Sequence, residues 1–306
     1  MRIAAVDLVS NTCFPALAAQ ELGFYREEGA EVEIELVSQI GSTRALREGS
    51  ADAMIAGSVH DLLREFPGWN GAKLLVALSQ GTPWLLTVRA DLAVERGDIG
   101  GLKGLRLTAA EGPDLVFKTL LAAGGLDPER DVSIVHLPGS EARDVSFGVY
   151  AARGLESGQI DGFWSNAMGS ATAVSLGVGK VHVDVRRGDD PAEVRYCTFA
   201  GVGTTDAFIE REPEQAAAAV RAIVKAQKAL RADPSRAALV GERLFPKNAA
   251  ELITGIVERD VPFYEPAISE EAVAKLNAFA QSVGHLPGPV PYEQVAAVRF
   301  RELWEG

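Results

Sequence analysis

One unit occurs twice in this chain. Leu46 to Val59 reads LREGSADAMIAGSV, and Leu155 to Met168 reads LESGQIDGFWSNAM. Both run Leu-x-x-Gly-x-x-Asp and then enter a short apolar stretch that ends in small polar residues. The surroundings repeat as well. Before the first copy, Arg2 to Val9 is strand-like, Phe14 to Glu28 carries apolar residues at helical spacing, and Glu31 to Val37 alternates as a strand. Ser42 to Glu48 is then a short helix closed by Gly49, and Ala53 to Ala56 an apolar strand. Before the second copy, Leu105 to Ala109 reads as strand, Pro113 to Ala123 as helix and Val132 to His136 as strand. Ala142 to Glu156 is a mostly helical piece closed by Gly158, and Gly162 to Trp164 is the strand that follows. Strand and helix taking turns predicts sheets with parallel pairs covered by helices. The doubling predicts two Rossmann-like α/β lobes.

Beyond Val194 the pattern changes. RYCTFAGVGTTDAF is one strand-rich return, and Pro213–Ala232, Arg236–Leu244, Ala249–Val257, Ser269–Val283 and Tyr292–Trp304 read as helices. With 306 residues and 47% hydrophobic content the chain can bury a large core in about two domains. Its net charge of −12 argues against nucleic acid or an anionic membrane as partner, because both need a basic patch. Cys13 and Cys197 stand far apart and form neither a disulfide framework nor a zinc-ligand spacing, so no metal or cofactor is expected. No apolar run reaches the roughly 18 residues of a membrane span. The opening MRIAAVDLVSN is a strand pattern interrupted by Asp7 and has no leader character. Two expectations follow: a cytoplasmic protein, or a periplasmic one whose leader was removed upstream.

In open α/β sheets ligands bind beyond the carboxyl ends of the strands, where helix N-termini offer unpaired N–H groups. Two such lobes face to face make a cleft with ligand groups on both walls. The first lobe's strand-end loops are Ser10-Asn11-Thr12-Cys13, Gln39-Ile40-Gly41-Ser42, Gly57-Ser58-Val59-His60 and Gln80-Gly81-Thr82-Pro83-Trp84. The second lobe's are Ala110-Glu111-Gly112-Pro113, Pro138-Gly139-Ser140 and Trp164-Ser165-Asn166-Ala167. Small residues, hydroxyls and amides dominate, with two tryptophans for apolar or stacking contact. The candidate ligand residues are Asn11, Thr12, Ser42, Ser58, His60, Thr82 and Trp84 from the first set and Glu111, Trp164, Ser165 and Asn166 from the second.

The segments SNTCFPALAAQELGFYREEGAEVEIEL, LREGSADAMIAGS, GLKGLRLTAAEGPDLVFKTLLAAGGLDPERDVSIVHL, GLESGQIDGFW and IEREPEQAAAAVRAIVKAQKALRADP resemble the solute-binding proteins of sulfonate, taurine and nitrate ABC transporters. The same superfamily includes the thiamine-pyrimidine synthases. The resemblance runs through nearly the whole chain in order. It implies a type II periplasmic-binding-protein architecture, with lobe I at 1–86 plus 197–306, lobe II at 87–196, and hinge crossings near 86–88 and 196–198. It also implies a monomer that delivers a small molecule to an ABC permease.

Chemistry competes with binding as a reading. The resemblance to pyrimidine synthases places His60 at a functional histidine, yet the lysine those enzymes use to hold pyridoxal phosphate falls near Ala56, and without it no Schiff base forms. There is no G-x-S-x-G elbow, no Walker loop and no strand-associated G-x-G-x-x-G. Glu111 and Asp114 open a helix, where acidic residues serve the helix dipole. Enzymes such as decarboxylases occur on this architecture, so a cytoplasmic enzyme acting on a small organic acid is the alternative. A ligand-sensing transcription factor needs a helix-turn-helix, and the chain starts directly with the sheet. The expected function is therefore capture of a sulfonate, carboxylate or heteroaromatic compound between closing lobes. Arg44 and Arg195 are the nearest basic candidates for an anion.

Overall fold

A computed structural model describes residues 1–38 and 41–305; Gln39 and Ile40, expected in a strand-end loop, lie outside the described residues. The strands are β1 (Arg2–Ala5), β2 (Glu33–Leu36), β3 (Ala53–Ala56), β4 (Ala72–Ser79), β5 (Trp84–Arg89), β6 (Arg106–Ala109), β7 (Ser133–Ile134), β8 (Gly162–Asn166), β9 (Gly179–Asp184) and β10 (Ala200–Thr205). They form two five-stranded sheets, ordered β2-β1-β3-β10-β4 and β7-β6-β8-β5-β9. In the first sheet β1 pairs parallel with β2 and β3, and β10 runs antiparallel to β3. In the second, β6 pairs parallel with β7 and β8, and β5 runs antiparallel to β8. The sheets correspond strand for strand. The antiparallel member of each is the strand that brings the chain across from the other lobe.

The chain crosses from β4 to β5 between Ser79 and Trp84, and returns between Asp184 and Ala200. Trp84 therefore stands in the second sheet, although a crossing near 86–88 groups it with the first lobe. The apolar run Trp84-Leu85-Leu86 is itself the start of a central strand buried on both faces, so it carries no outward sign of a hinge.

Helices cover the sheets. In the first lobe α1 (Phe14–Glu21) and α2 (Phe24–Glu27) divide at Gly23 what reads as one helix, and α3 (Gly41–Glu48) follows. The second lobe holds α4 (Pro113–Ala123), α5 (Phe147–Glu156) and α6 (Ala167–Ser175). The chain ends in α7 (Asp206–Arg211), α8 (Pro213–Ala232), α9 (Arg236–Leu244), α10 (Lys247–Asp260), α11 (Glu270–Ser282), α12 (Tyr292–Val295) and α13 (Arg301–Glu305). Pro213 at the first position pre-sets the entry of α8. Its buried Ala216, Ala217, Ala218 and Ala219 remove side-chain bulk, so the helix packs closely on the first lobe. Ser269 caps α11 by accepting the Ala272 N–H at 3.0 Å.

The repeated unit has a structural use. Gly49 and Gly158 end α3 and α5 in the left-handed region, at φ +74° and +72°, where a Cβ is penalised. Three residues later the aspartate turns back onto the strand beside it. Asp52 accepts the Arg2 N–H at 2.8 Å, and Asp161 accepts the Arg106 N–H at 2.9 Å. In return the Arg2 and Arg106 carbonyls accept the Asp52 and Asp161 N–H groups at 2.8 and 2.7 Å. Each Gly-x-x-Asp thus ties a helix exit to the first residue of the lobe's leading strand.

Candidate functional site

Where the strand tips of the two lobes face each other they enclose a hollow of about 100 Å³, room for several waters or one small organic molecule. It lies beyond the carboxyl ends of β1, β3, β6 and β8, the position open α/β sheets use for ligands. The first lobe contributes Asp7, Ser10, Thr12, Ser58 and Asp61 to its lining. The second contributes Trp84, Glu111, Phe147, Trp164, Ser165 and Asn166.

The walls are polar and acidic on one side, aromatic on the other. Asp7 follows β1 and accepts the Val9 N–H at 2.7 Å and the Ser146 hydroxyl, from the second lobe, at 2.8 Å. Burial pushes its carboxyl up to about 6, against the pull of those two donors. Asp61 sits in the 3₁₀ turn Val59–Arg64 after β3 and accepts the Ser58 hydroxyl at 2.5 Å through one oxygen. Its other oxygen has no hydrogen-bond partner. Gly112 makes this approach possible, since a Cβ there would run into the Asp61 carboxylate. Opposite, the Trp164 indole lies edge-on to Trp84 at 6.1 Å and stacks on Phe117 at 5.7 Å. The aromatic wall is rigid for that reason.

Several bonds join the lobes around the hollow. Asn166 accepts the Gly169 N–H at 3.2 Å as the cap of α6, while its amide donates to Ser10 at 3.2 Å. Asn11 accepts the Met168 N–H at 3.1 Å and donates to Asp260 at 2.6 Å. Arg64 reaches Glu111 at 2.6 Å. Arg186, which follows β9, pairs with Asp260 at 3.3 Å, lies over the Phe263 ring at 4.5 Å and donates to Ser79. Both members of this pair are almost fully buried, with burial raising the Asp260 carboxyl and lowering the Arg186 guanidinium. The lobes are thus in a closed arrangement, pinned at the cleft and near the hinge.

Of the residues singled out from sequence, Thr12, Ser58, Trp84, Glu111, Trp164, Ser165 and Asn166 line the hollow. Asn11, Ser42, His60 and Thr82 lie outside its lining. Asn11 is spent on the inter-lobe bonds above. Ser42 is buried in the first turn of α3. Thr82 donates to the Val194 carbonyl at 2.6 Å and helps set the crossing. His60 is fully buried, near the Gly112 carbonyl at 3.3 Å and edge-on to Phe279 at 5.1 Å. Desolvation lowers its pKa, so it is a neutral packing group. Its neighbour Asp61 takes the place in the lining. Arg44 is exposed, and Arg195 pairs with Asp190 at 3.3 Å behind the crossing. Asp7, Asp61 and Phe147 are site residues that the sequence reading passed over; Asp7 did show itself as a lone charge in an apolar strand.

Cys13 also lines the hollow, and burial together with the nearby Asp7 pushes its thiol up to about 12. Its burial keeps the thiol protonated at physiological pH. Among the described residues no helix is long and apolar enough to cross a membrane.

Residues 103–244 match the pattern of the NMT1-like family. The putative binding protein YtlA of Bacillus subtilis is 24% identical over 300 residues, covering 94% of this chain and 85% of YtlA. The nitrate import ATP-binding protein NrtC of Synechocystis is 25% identical over 238 residues, covering 70% of this chain but 32% of NrtC; the chain spans about a third of that relative's length. Among solved structures, a Bordetella bronchiseptica protein superposes with TM-score 0.75 at 21% identity, covering 100% of this chain and 98% of that one. The alkanesulfonate-binding protein SsuA of Xanthomonas axonopodis, bound to MOPS, gives 0.70 at 15% identity over 95% of each chain. A mutant of DSZB in complex with biphenyl-2-sulfinic acid gives 0.67 at 18% identity, covering 98% of this chain and 97% of that one.

The fold and hollow together define a two-lobed α/β architecture of the type II periplasmic-binding kind. Within that class the chain resembles the sulfonate- and nitrate-binding proteins of ABC importers.

Proposed function

We propose that this chain is the solute-binding component of an ABC importer and captures a small organic molecule between its lobes, in the periplasm. The observation that carries the reading is the hollow itself: groups from both strand-tip sets meet around one small cavity, with the lobes latched over it. A ligand that touches both walls only when the lobes are closed shifts the population toward that form, and a permease reads the closed shape. The relatives and neighbours named as binding proteins, and the import systems they serve, support the same assignment. Cleavage of a leader and release into the periplasm is tested by cell fractionation of the full-length gene product.

A thermal-shift screen of amines, aromatic acids, sulfonates and pyrimidines, followed by mass analysis of the recovered hit, tests the reading. A stabilising compound returned intact supports a binding protein. A second reading, an enzyme on the same fold, draws on the DSZB neighbour captured with a sulfinic acid. Conversion of the hit would favour it. The buried, neutral Cys13 thiol speaks against a cysteine nucleophile. Trp164→Ala should weaken the hit's binding at least tenfold, which is about 1.4 kcal/mol.

A further inference from the structure

We propose that the hollow selects a small organic cation, an ammonium or amidinium group on an apolar body, and rejects sulfonates and nitrate. The inference rests on the reading of the hollow as the ligand site. Three carboxylates line it, Asp7 and Asp61 from the first lobe and Glu111 from the second, and among the described residues no lysine, arginine or histidine does. Arg64, outside the lining, is shared between Glu111 at 2.6 Å and Asp61 at 3.7 Å. Around Asp7 the groups in contact are the Ser146 hydroxyl and the Val9 N–H, with the Cys13 thiol nearby; none is a cation. With a single guanidinium against three carboxylates, an anion placed here meets net like charge.

A second feature points to what the site takes. Trp84, Trp164 and Phe147 supply aromatic surface to the same hollow, the setting in which a desolvated cation gains from aromatic rings. The burial that raises the Asp7 carboxyl adds to the case, because a cation in the hollow stabilises its ionised form.

The test uses charge-reversed probes of matched shape on the intact protein: benzylammonium against benzenesulfonate, and guanidinium against nitrate, by titration calorimetry at pH 7.5. The cation of each pair should bind at least tenfold more tightly than the anion. Asp7→Asn, which keeps the shape, should cost the cations at least tenfold and leave the anions unchanged or improved; Asp61→Asn provides the second variant should the first not fold. Preference for benzenesulfonate or nitrate at the hollow, lost in Trp164→Ala, would overturn the inference while leaving the solute-binding reading in place. Failure of every probe to bind would likewise overturn the inference, while the thermal-shift screen decides the solute-binding reading separately.

Discussion

Asp52 and Asp161 do the same work in the two lobes, each closing a helix onto the first residue of the leading strand. The opposite ends of those lobes share only the small polar residues that close each copy, Ser58 in one and Ser165 and Asn166 in the other. Beyond these, lobe I presents Asp7, Asp61, Ser10 and Thr12 to the hollow, whereas lobe II presents Trp84, Phe147, Trp164 and a single carboxylate, Glu111. The repeat is plain where it serves folding and much weaker where it serves recognition. That follows from the geometry of the fold, since the base of each sheet meets only its own helices while the tips meet a ligand and the other lobe.

Even the staples differ in strength, and this ranks the tests. Asp161 takes the Arg106 guanidinium side-on, at 3.0 and 2.9 Å, and Arg89 at 3.2 Å, and Arg106 holds its carboxyl below the usual carboxylate range. Asp161→Ala should lower unfolding free energy by about 3 kcal/mol in urea titrations; a loss under about 1 would mean that the staple is decorative. Asp7 at the tip acts in the opposite sense. Its folded-state pKa of about 6 lies above the ordinary 3.8, so the neutral carboxyl stabilises the fold at low pH and that contribution is lost as pH rises between those values. Compared with Asp7→Asn, the native protein should lose about 1–2 kcal/mol of stability from pH 4 to pH 7, less than the full shift because water in the hollow screens the charge. A flat difference across that range would place Asp7 in ordinary solvent.

Asp52→Ala should cost less than its counterpart, about 1.5 kcal/mol, because Arg2 is nearly half exposed and its Nε stands 3.8 Å from the carboxylate. Equal losses at Asp52 and Asp161 would break the distinction between the lobes. Gly49→Ala and Gly158→Ala each introduce a Cβ at positive φ with nothing else in its way, so both should cost about 1 kcal/mol and match within a few tenths. Thermal melts of the pair would show whether the two copies remain interchangeable at that point.

The scaffold was readable because its signals are local. Pro113, Pro213 and Asp233 mark helix ends, and α4, α8 and α9 begin and end where those residues and the apolar spacing place them. The strands β4 and β5 are hard to assign from sequence, because a strand buried on both faces has no alternation to detect and KLLVALS reads as any apolar run. The site was half legible for a similar reason. Strand-end loops could be found, but which residue in a loop faces the cleft depends on a single step of the chain: His60 turns into the core and Asp61 into the hollow. Phe147 opens α5, which follows a long loop in place of a strand end, so the rule that found the other residues passed over it.

The most direct measurement is a crystal structure of the protein with the compound that the thermal-shift screen returns. The account predicts density inside the hollow, in contact with Asp7 on one side and Trp164 on the other. A compound seated on one lobe alone, or away from the strand tips, would contradict it.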